Sequence, residues 1–187
     1  MSISGELEKH GEGRARRTAI VFSYAHWEGF VKQASVAYLM LVCYKTRPLS
    51  RLTGNFWALA CRQELALGGG ATKKIAPHID IVRLLTDDVE RAFSIDASSA
   101  IDTESNLNYA VFKNICESIG VDYDKKWKDE EPSMNDLFNY RCAIAHGELY
   151  TPDNKYALEV TKRVIEWIDS YATDIENSAI GNKYLRG

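Results

Sequence analysis

No two cysteines of this chain stand close enough to form a Cys-x-x-Cys pair. Cys43, Cys61, Cys116 and Cys142 lie far apart, which removes the usual zinc and thioredoxin motifs and leaves them as small apolar core residues in a reducing compartment. Long hydrophobic runs are missing too. The most apolar stretch, Ala34 to Tyr44, is about half of the roughly 20 residues needed to cross a bilayer. The N-terminus, with its Gly, Glu and Lys, lacks the apolar segment of a secretory signal. The expectation is a cytoplasmic protein with no membrane partner. An excess of basic charge is absent as well: at a formal net charge of -3, any contact with nucleic acid must use a local basic site rather than bulk charge. Finally, Gly68-Gly69-Gly70 precedes Lys73 and Lys74 without the Gly-x-x-x-x-Gly-Lys-Ser/Thr order of a phosphate-cradling loop, so a connector with solvated lysines is expected there.

What is present is a chain of 187 residues, 45% of them hydrophobic, enough to bury one sizeable core as a single domain over 1–187. Trp27, Phe30, Val31, Ala34, Tyr38, Leu41 and Val42 recur at three- and four-residue spacing, with Val36, Leu39 and Met40 widening the face. That pattern predicts a helix from about Arg16 to Tyr44 at the centre of a bundle, broken by Pro48. A second helix is expected over Leu52 to Leu67, ended by the glycine triplet. Pro77 suits the first turn of a helix through Phe93, although Ile79 and Ile81 also allow a short strand.

Ser94 to Asn106 reads as an irregular connection, with Ser105 or Asn106 available to cap a helix carrying Leu107, Val111, Phe112, Ile115, Cys116 and Ile119, closed by Gly120. The charged run Asp122 to Glu131 is expected to be a solvated loop pinned by Trp127. Pro132 and Ser133 open a helix ended by Gly147, and a last helix runs from Asn154 to about Ile175. The fold class expected is an all-α bundle of five or more helices, with loops around 68–76, 94–106 and 121–132.

Late in that penultimate helix, Arg141-Cys142-Ala143-Ile144-Ala145-His146 sets an arginine and a histidine five positions apart, with Gly147-Glu148 directly behind. An arginine offers phosphate a rigid fork of donors, and a histidine moves a proton near neutral pH. Together they can break a phosphodiester bond without a metal or cofactor. In attack of an RNA 2'-hydroxyl on the adjacent phosphate, His146 would take or return the proton and Arg141 would stabilise charge on the phosphoryl oxygens. DNA lacks that hydroxyl. Five positions along an ideal helix amount to about 140° and about 7.5 Å, so the two side chains do not share a face. Either the helix distorts near Gly147, or a second copy of the same helix completes the site across a two-fold axis. A plainer role is open to the same residues, since basic side chains near a helix C-terminus interact favourably with the dipole and the unpaired carbonyls. None of His10, His26 and His78 has an arginine five to seven places before it.

The motif does not stand alone. Ala25-His26-Trp27-Glu28-Gly29-Phe30-Val31-Lys32, Ser105-Asn106-Leu107-Asn108, and Arg141 through Ala145-His146-Gly147-Glu148 resemble, in that order, the HEPN superfamily, whose nucleases carry Arg, four to six residues, then His. Within it the chain resembles the stand-alone bacterial HEPN-like nucleases related to the RiboL-PSP-HEPN group. The resemblance implies a helical bundle that dimerises with its motif helices facing each other, metal-independent endoribonuclease activity, an RNA substrate, and a role in toxin-antitoxin, abortive-infection or other defence systems, with an antitoxin or other defence protein as partner. Arg141 and His146 match the family's catalytic positions. The chain departs from the family at Cys142, where Asn, Asp or His is common; a thiol is a weak hydrogen-bond partner. That departure keeps an alternative open: a non-catalytic HEPN module binding nucleotide, RNA or a partner protein. A third possibility is a helical interaction protein in which Arg141 and His146 only cap a helix.

Further candidates lie around the motif. Glu28, in a mostly apolar helix, is expected to pair with a cation or accept a backbone bond, either orienting Arg141 or His146 or holding two helices together. Glu148 can orient His146 or start a solvated turn. Asn106 and Asn108 can reach the cleft or cap a helix. Tyr140 can stack on a base or belong to the core, and His26 beside Trp27 reads as a core histidine.

Overall fold

The computed structural model describes residues 3–67, 74–123, 126–148 and 150–187, with side chains from residue 11 onward except at Leu67. Among the described residues there are seven α-helices and no strand: α1 (Ile3–Tyr44), α2 (Gly54–Leu67), α3 (Ala76–Thr86), α4 (Ala97–Ala100), α5 (Tyr109–Ile119), α6 (Glu131–Ala145) and α7 (Asn154–Ile180). The all-α bundle expected from periodicity is what forms. The glycine triplet and Lys73 lie outside the described residues.

The organising element is α1, which packs against α4, α5, α6 and α7. It is 42 residues long and starts well before Arg16, because its polar first turns carry no apolar stripe that would announce them. Trp27 sits at the centre of the core, with ring centroids 5.3 Å from Phe112, 5.5 Å from Trp167, 6.0 Å from Trp127 and 6.2 Å from Tyr171. These rings come from α1, α5, α7 and the connection before α6, so one aromatic cluster ties the elements that surround the motif. Ser35 enters the same core because its hydroxyl is satisfied twice, at 2.6 Å from the Val31 carbonyl and 2.7 Å from the Tyr171 hydroxyl.

The inward face of α1 is narrower than its apolar residues suggest. Trp27, Val31, Tyr38, Leu39 and Val42 are buried, whereas Met40 is 60% exposed. His26 is exposed rather than a core residue, and it stacks on Phe22 with ring centroids 6.5 Å apart. Elsewhere, α3 carries Pro77 in its first turn and stops at Thr86, short of Phe93. The expected strand alternative does not form. Phe93 is buried on its own account, edge-on to Phe56 at 5.5 Å.

Other expected boundaries shift as well. The connection after Phe93 contains α4, capped by the Asp96 carboxylate. Asn108, not Ser105 or Asn106, caps α5, its Oδ1 accepting from the Val111 N–H at 3.0 Å. Gly120 closes α5 in the left-handed region at φ 74°, and α7 continues past Ile175 to Ile180. Trp127 anchors the charged run as expected: it is 1% exposed and its indole N–H donates to Asp174 at 2.9 Å.

Candidate active site at the end of α6

Pro132 lies in the first turn of α6, where its missing N–H has no helical partner to lose. Met134 and Leu137 bury the first half of the helix in the core, but from Phe138 to Glu148 no residue is fully buried. The helix remains regular to its end. The His146 N–H donates to the Cys142 carbonyl at 2.9 Å, the Gly147 N–H to Ile144 at 3.1 Å and the Glu148 N–H to Ala143 at 3.0 Å. The last two bonds make a Schellman cap, which needs a left-handed residue at Gly147, found at φ 79°. No distortion precedes His146, so helical spacing holds the arginine and histidine apart. Among the described residues the His146 ring makes no hydrogen bond, and the residues Ala145 to Glu148 are all exposed.

Arg141 is held from three sides. Its guanidinium lies 4.8 Å over the Tyr24 ring of α1, a cation-π contact. Nη1 donates to Asn106 Oδ1 and Nη2 to the Ser105 carbonyl, each at 3.4 Å. The Cys142 Sγ sits 3.8 Å from Nη1, a weak contact for a soft acceptor. The turn that offers Ser105 and Asn106 is itself strained: Glu104 and Ser105 both adopt positive φ, at 55° and 52°, conformations that side-chain-bearing residues seldom take. Burial pushes the Tyr24 hydroxyl well above the usual tyrosine range, with Glu28 acting in the same direction and Arg141 against it. Tyr24 is therefore a neutral surface for the cation.

The segment after the motif is clamped to the rest of the fold. Arg17 Nη1 on α1 donates to the Glu148 carbonyl at 2.9 Å and to the Tyr150 carbonyl at 3.2 Å. Tyr150 stacks on Tyr140 of α6 at 4.5 Å, and Tyr156 of α7 meets Tyr140 edge-on at 4.8 Å. Burial, with Tyr140 beside it, pushes the Tyr150 hydroxyl up to about 12. These contacts fix the chain on both sides of His146 while its ring stays in solvent.

The structure thus brings Arg141, Cys142, Tyr24, Ser105 and Asn106 together and leaves His146 separate at the cap. Asn108 is occupied in capping α5. Tyr140 has one face on Tyr150 and meets Tyr156 edge-on. Glu148 contributes its backbone to the cap and to Arg17, and its carboxylate makes no bond to His146 among the described residues. Glu28 does not find the cation or backbone donor expected of it: Oε1 is buried without a hydrogen bond, and no ion pair reaches it among the described residues. Sequence reading missed Tyr24 and Arg17 as contributors, and it gave Ser105 a capping role rather than a contact with Arg141. Of those two, Arg17 had a signal in the basic run Arg14-Ala15-Arg16-Arg17.

Among the described residues no three His, Cys, Asp or Glu side chains converge as a metal-binding group. A cavity of about 590 Å³ is lined by residues such as Arg62, Gln63 and Asp96 and shares none with the motif.

All-α architecture around a late helix ending in Arg-x4-His agrees with the HEPN superfamily. A model of the RiboL-PSP-HEPN family matches residues 2–180, and the chain belongs to that family. No curated protein and no solved structure matches the chain. Membership associates it with nuclease-type or RNA-related function. Among the described residues no helix is long and apolar enough to cross a membrane.

Proposed function

We propose that this protein is a metal-independent endoribonuclease whose site is completed when two copies bring their α6 ends together. The observation that carries the proposal is the arrangement of α6: Arg141 is positioned over Tyr24 and half exposed, His146 is exposed at the cap, and a regular helix holds the two apart. A two-fold axis near the end of α6 would face each arginine with the other copy's histidine. The half-buried second half of α6 is the surface such a pairing would cover.

In this site His146 of one copy takes the proton of an RNA 2'-hydroxyl, whose oxygen bonds to the adjacent phosphorus. The bond from phosphorus to the 5'-oxygen breaks, and that oxygen leaves as a hydroxyl with a proton taken from water. The Arg141 guanidinium stabilises the extra negative charge on the phosphoryl oxygens. The products are a 2',3'-cyclic phosphate and a 5'-hydroxyl. DNA, without the attacking hydroxyl, is spared. Biologically the activity fits a toxin or defence effector in the cytoplasm, controlled by an antitoxin or other defence protein.

The test is RNA incubated with purified protein in EDTA. Cleavage to 2',3'-cyclic phosphate ends that disappears in both Arg141→Ala and His146→Ala supports the proposal. A second reading, a non-catalytic module that binds nucleotide or a partner protein, has Cys142 in its favour, since the thiol gives Arg141 only a 3.8 Å contact. A wild-type dimer that binds nucleotide yet leaves every RNA intact would select it.

A further inference from the structure

Next to the motif helix, α1 forms one wall of a groove of about 390 Å³ lined by Arg14, Arg17, Thr18, Val21, Phe22 and, from α6, Ile144. The volume is in the range of sites that hold a small organic group such as a nucleobase. Two features of it have no role in the fold. Phe22 is 60% exposed, where burial would ordinarily take a phenyl ring, and its only ring partner among the described residues is His26, itself exposed, at 6.5 Å and 29° between planes. Arg14 is exposed and makes no ion pair among the described residues, in contrast to Arg16, which meets Glu12 at 3.8 Å. Cations beside an exposed ring, on a chain of net charge -3, match an anionic ligand that carries an aromatic base. The groove adjoins the motif through Ile144, two residues before His146, and through Arg17, which grips the Glu148 carbonyl.

We infer that this groove seats the single-stranded RNA flanking the scissile phosphate, with one base stacked on Phe22 and a neighbouring phosphate on Arg14. The inference rests on the ribonuclease reading and adds the path of the substrate to it. A ring surface and a point charge contact any base and any phosphate, so binding here is tolerant of sequence and of sugar. Discrimination against DNA then comes only from the chemical step.

The experiment measures binding of a fluorescein-labelled oligouridylate of about ten nucleotides to the cleavage-silent His146→Ala protein by fluorescence anisotropy. Adding Phe22→Ala is expected to weaken binding about 5- to 150-fold, the loss of one stacked base, and Phe22→Trp to retain it. Adding Arg14→Gln is expected to lower the slope of log affinity against log salt by about 0.7, one phosphate contact on a single strand. The matching oligodeoxyuridylate should bind equally well. Circular dichroism and light scattering on each variant report folding and mass. Unchanged affinity in both Phe22→Ala and Arg14→Gln overturns the inference and leaves the ribonuclease reading standing. A Phe22→Ala protein that falls from dimer to monomer shows the groove to be a protein interface and overturns it too. Failure of the His146→Ala protein to bind any oligonucleotide, with wild type cleaving none, removes both.

Discussion

Arg141 makes two kinds of contact that only a guanidinium combines: a flat face 4.8 Å over Tyr24 and edge donors toward Ser105 and Asn106. An ammonium is a point charge without a stacking plane or a planar fork of donors. Arg141→Lys is therefore expected to lose about 100-fold or more in cleavage rate, the range seen when one donor to a developing oxyanion is removed, while the melting temperature stays within about 2 °C because the residue is partly solvated. Single-turnover cleavage alongside thermal unfolding checks this, and near-wild-type rates in the lysine variant would show that charge alone suffices. At this scale the sequence offered candidate residues and was silent about what holds them. Tyr24 and Arg17 lie more than a hundred positions from the groups they touch, and no spacing rule links them. Glu28 illustrates the converse. A carboxylate on an apolar helix ought to find a partner, yet which donors face it depends on how α1 and α6 cross.

The element on which the proposed chemistry depends is the end of α6. Its Schellman cap stops the helix at Ala145, sends the chain back toward α1 and leaves the His146 ring in solvent. The cap depends on Gly147 at φ 79°, and a Cβ built there meets nothing within 4 Å. Gly147→Ala should thus cost only backbone strain, about 1 kcal/mol, or roughly 2–4 °C in melting temperature for a chain of this size. Gly120 at the end of α5 has the same handedness, but its Cβ would come 3.2 Å from Asn55 Nδ2, whose amide holds the Ser118 carbonyl at 3.1 Å. Gly120→Ala is expected to be the more destabilising of the two in a side-by-side melting comparison. The reverse order would mean that the α6 cap is under strain that its dihedrals do not reveal.

Helix ends of this kind were legible beforehand, because glycine after an apolar stripe has a single structural meaning. The extent of α1 was not. Its early turns are polar, and along its apolar stretch Met40 obeys the same periodicity as its buried neighbours. Burial there is decided by where α7 and the connections lie, which period alone does not encode.

For the whole molecule, one aromatic core carries the consequences. Burial pushes the Tyr38 hydroxyl up to about 12, and the almost wholly buried Tyr171 lies well above its usual value of 10.0. On unfolding these groups would ionise near pH 10, so above that pH the unfolded chain binds fewer protons than the folded one and stability falls as pH rises. The tyrosine contribution is complete below about pH 10 and is lost as pH climbs through about 12. Urea midpoints should hold level from about pH 7 to about pH 9 and decline beyond about pH 10. A flat profile to about pH 11 would contradict the burial of these hydroxyls.

The larger claim is that catalysis belongs to two copies rather than one, because α6 keeps Arg141 and His146 apart within each. Subunit complementation tests it most directly. Arg141→Ala and His146→Ala proteins, each inactive alone, are mixed under conditions where subunits exchange, and cleavage of RNA in EDTA is followed with exchange verified by native mass spectrometry. Mixed dimers unite the arginine of one copy with the histidine of the other, and the account predicts that cleavage returns. Mixed dimers that form and remain silent would contradict it.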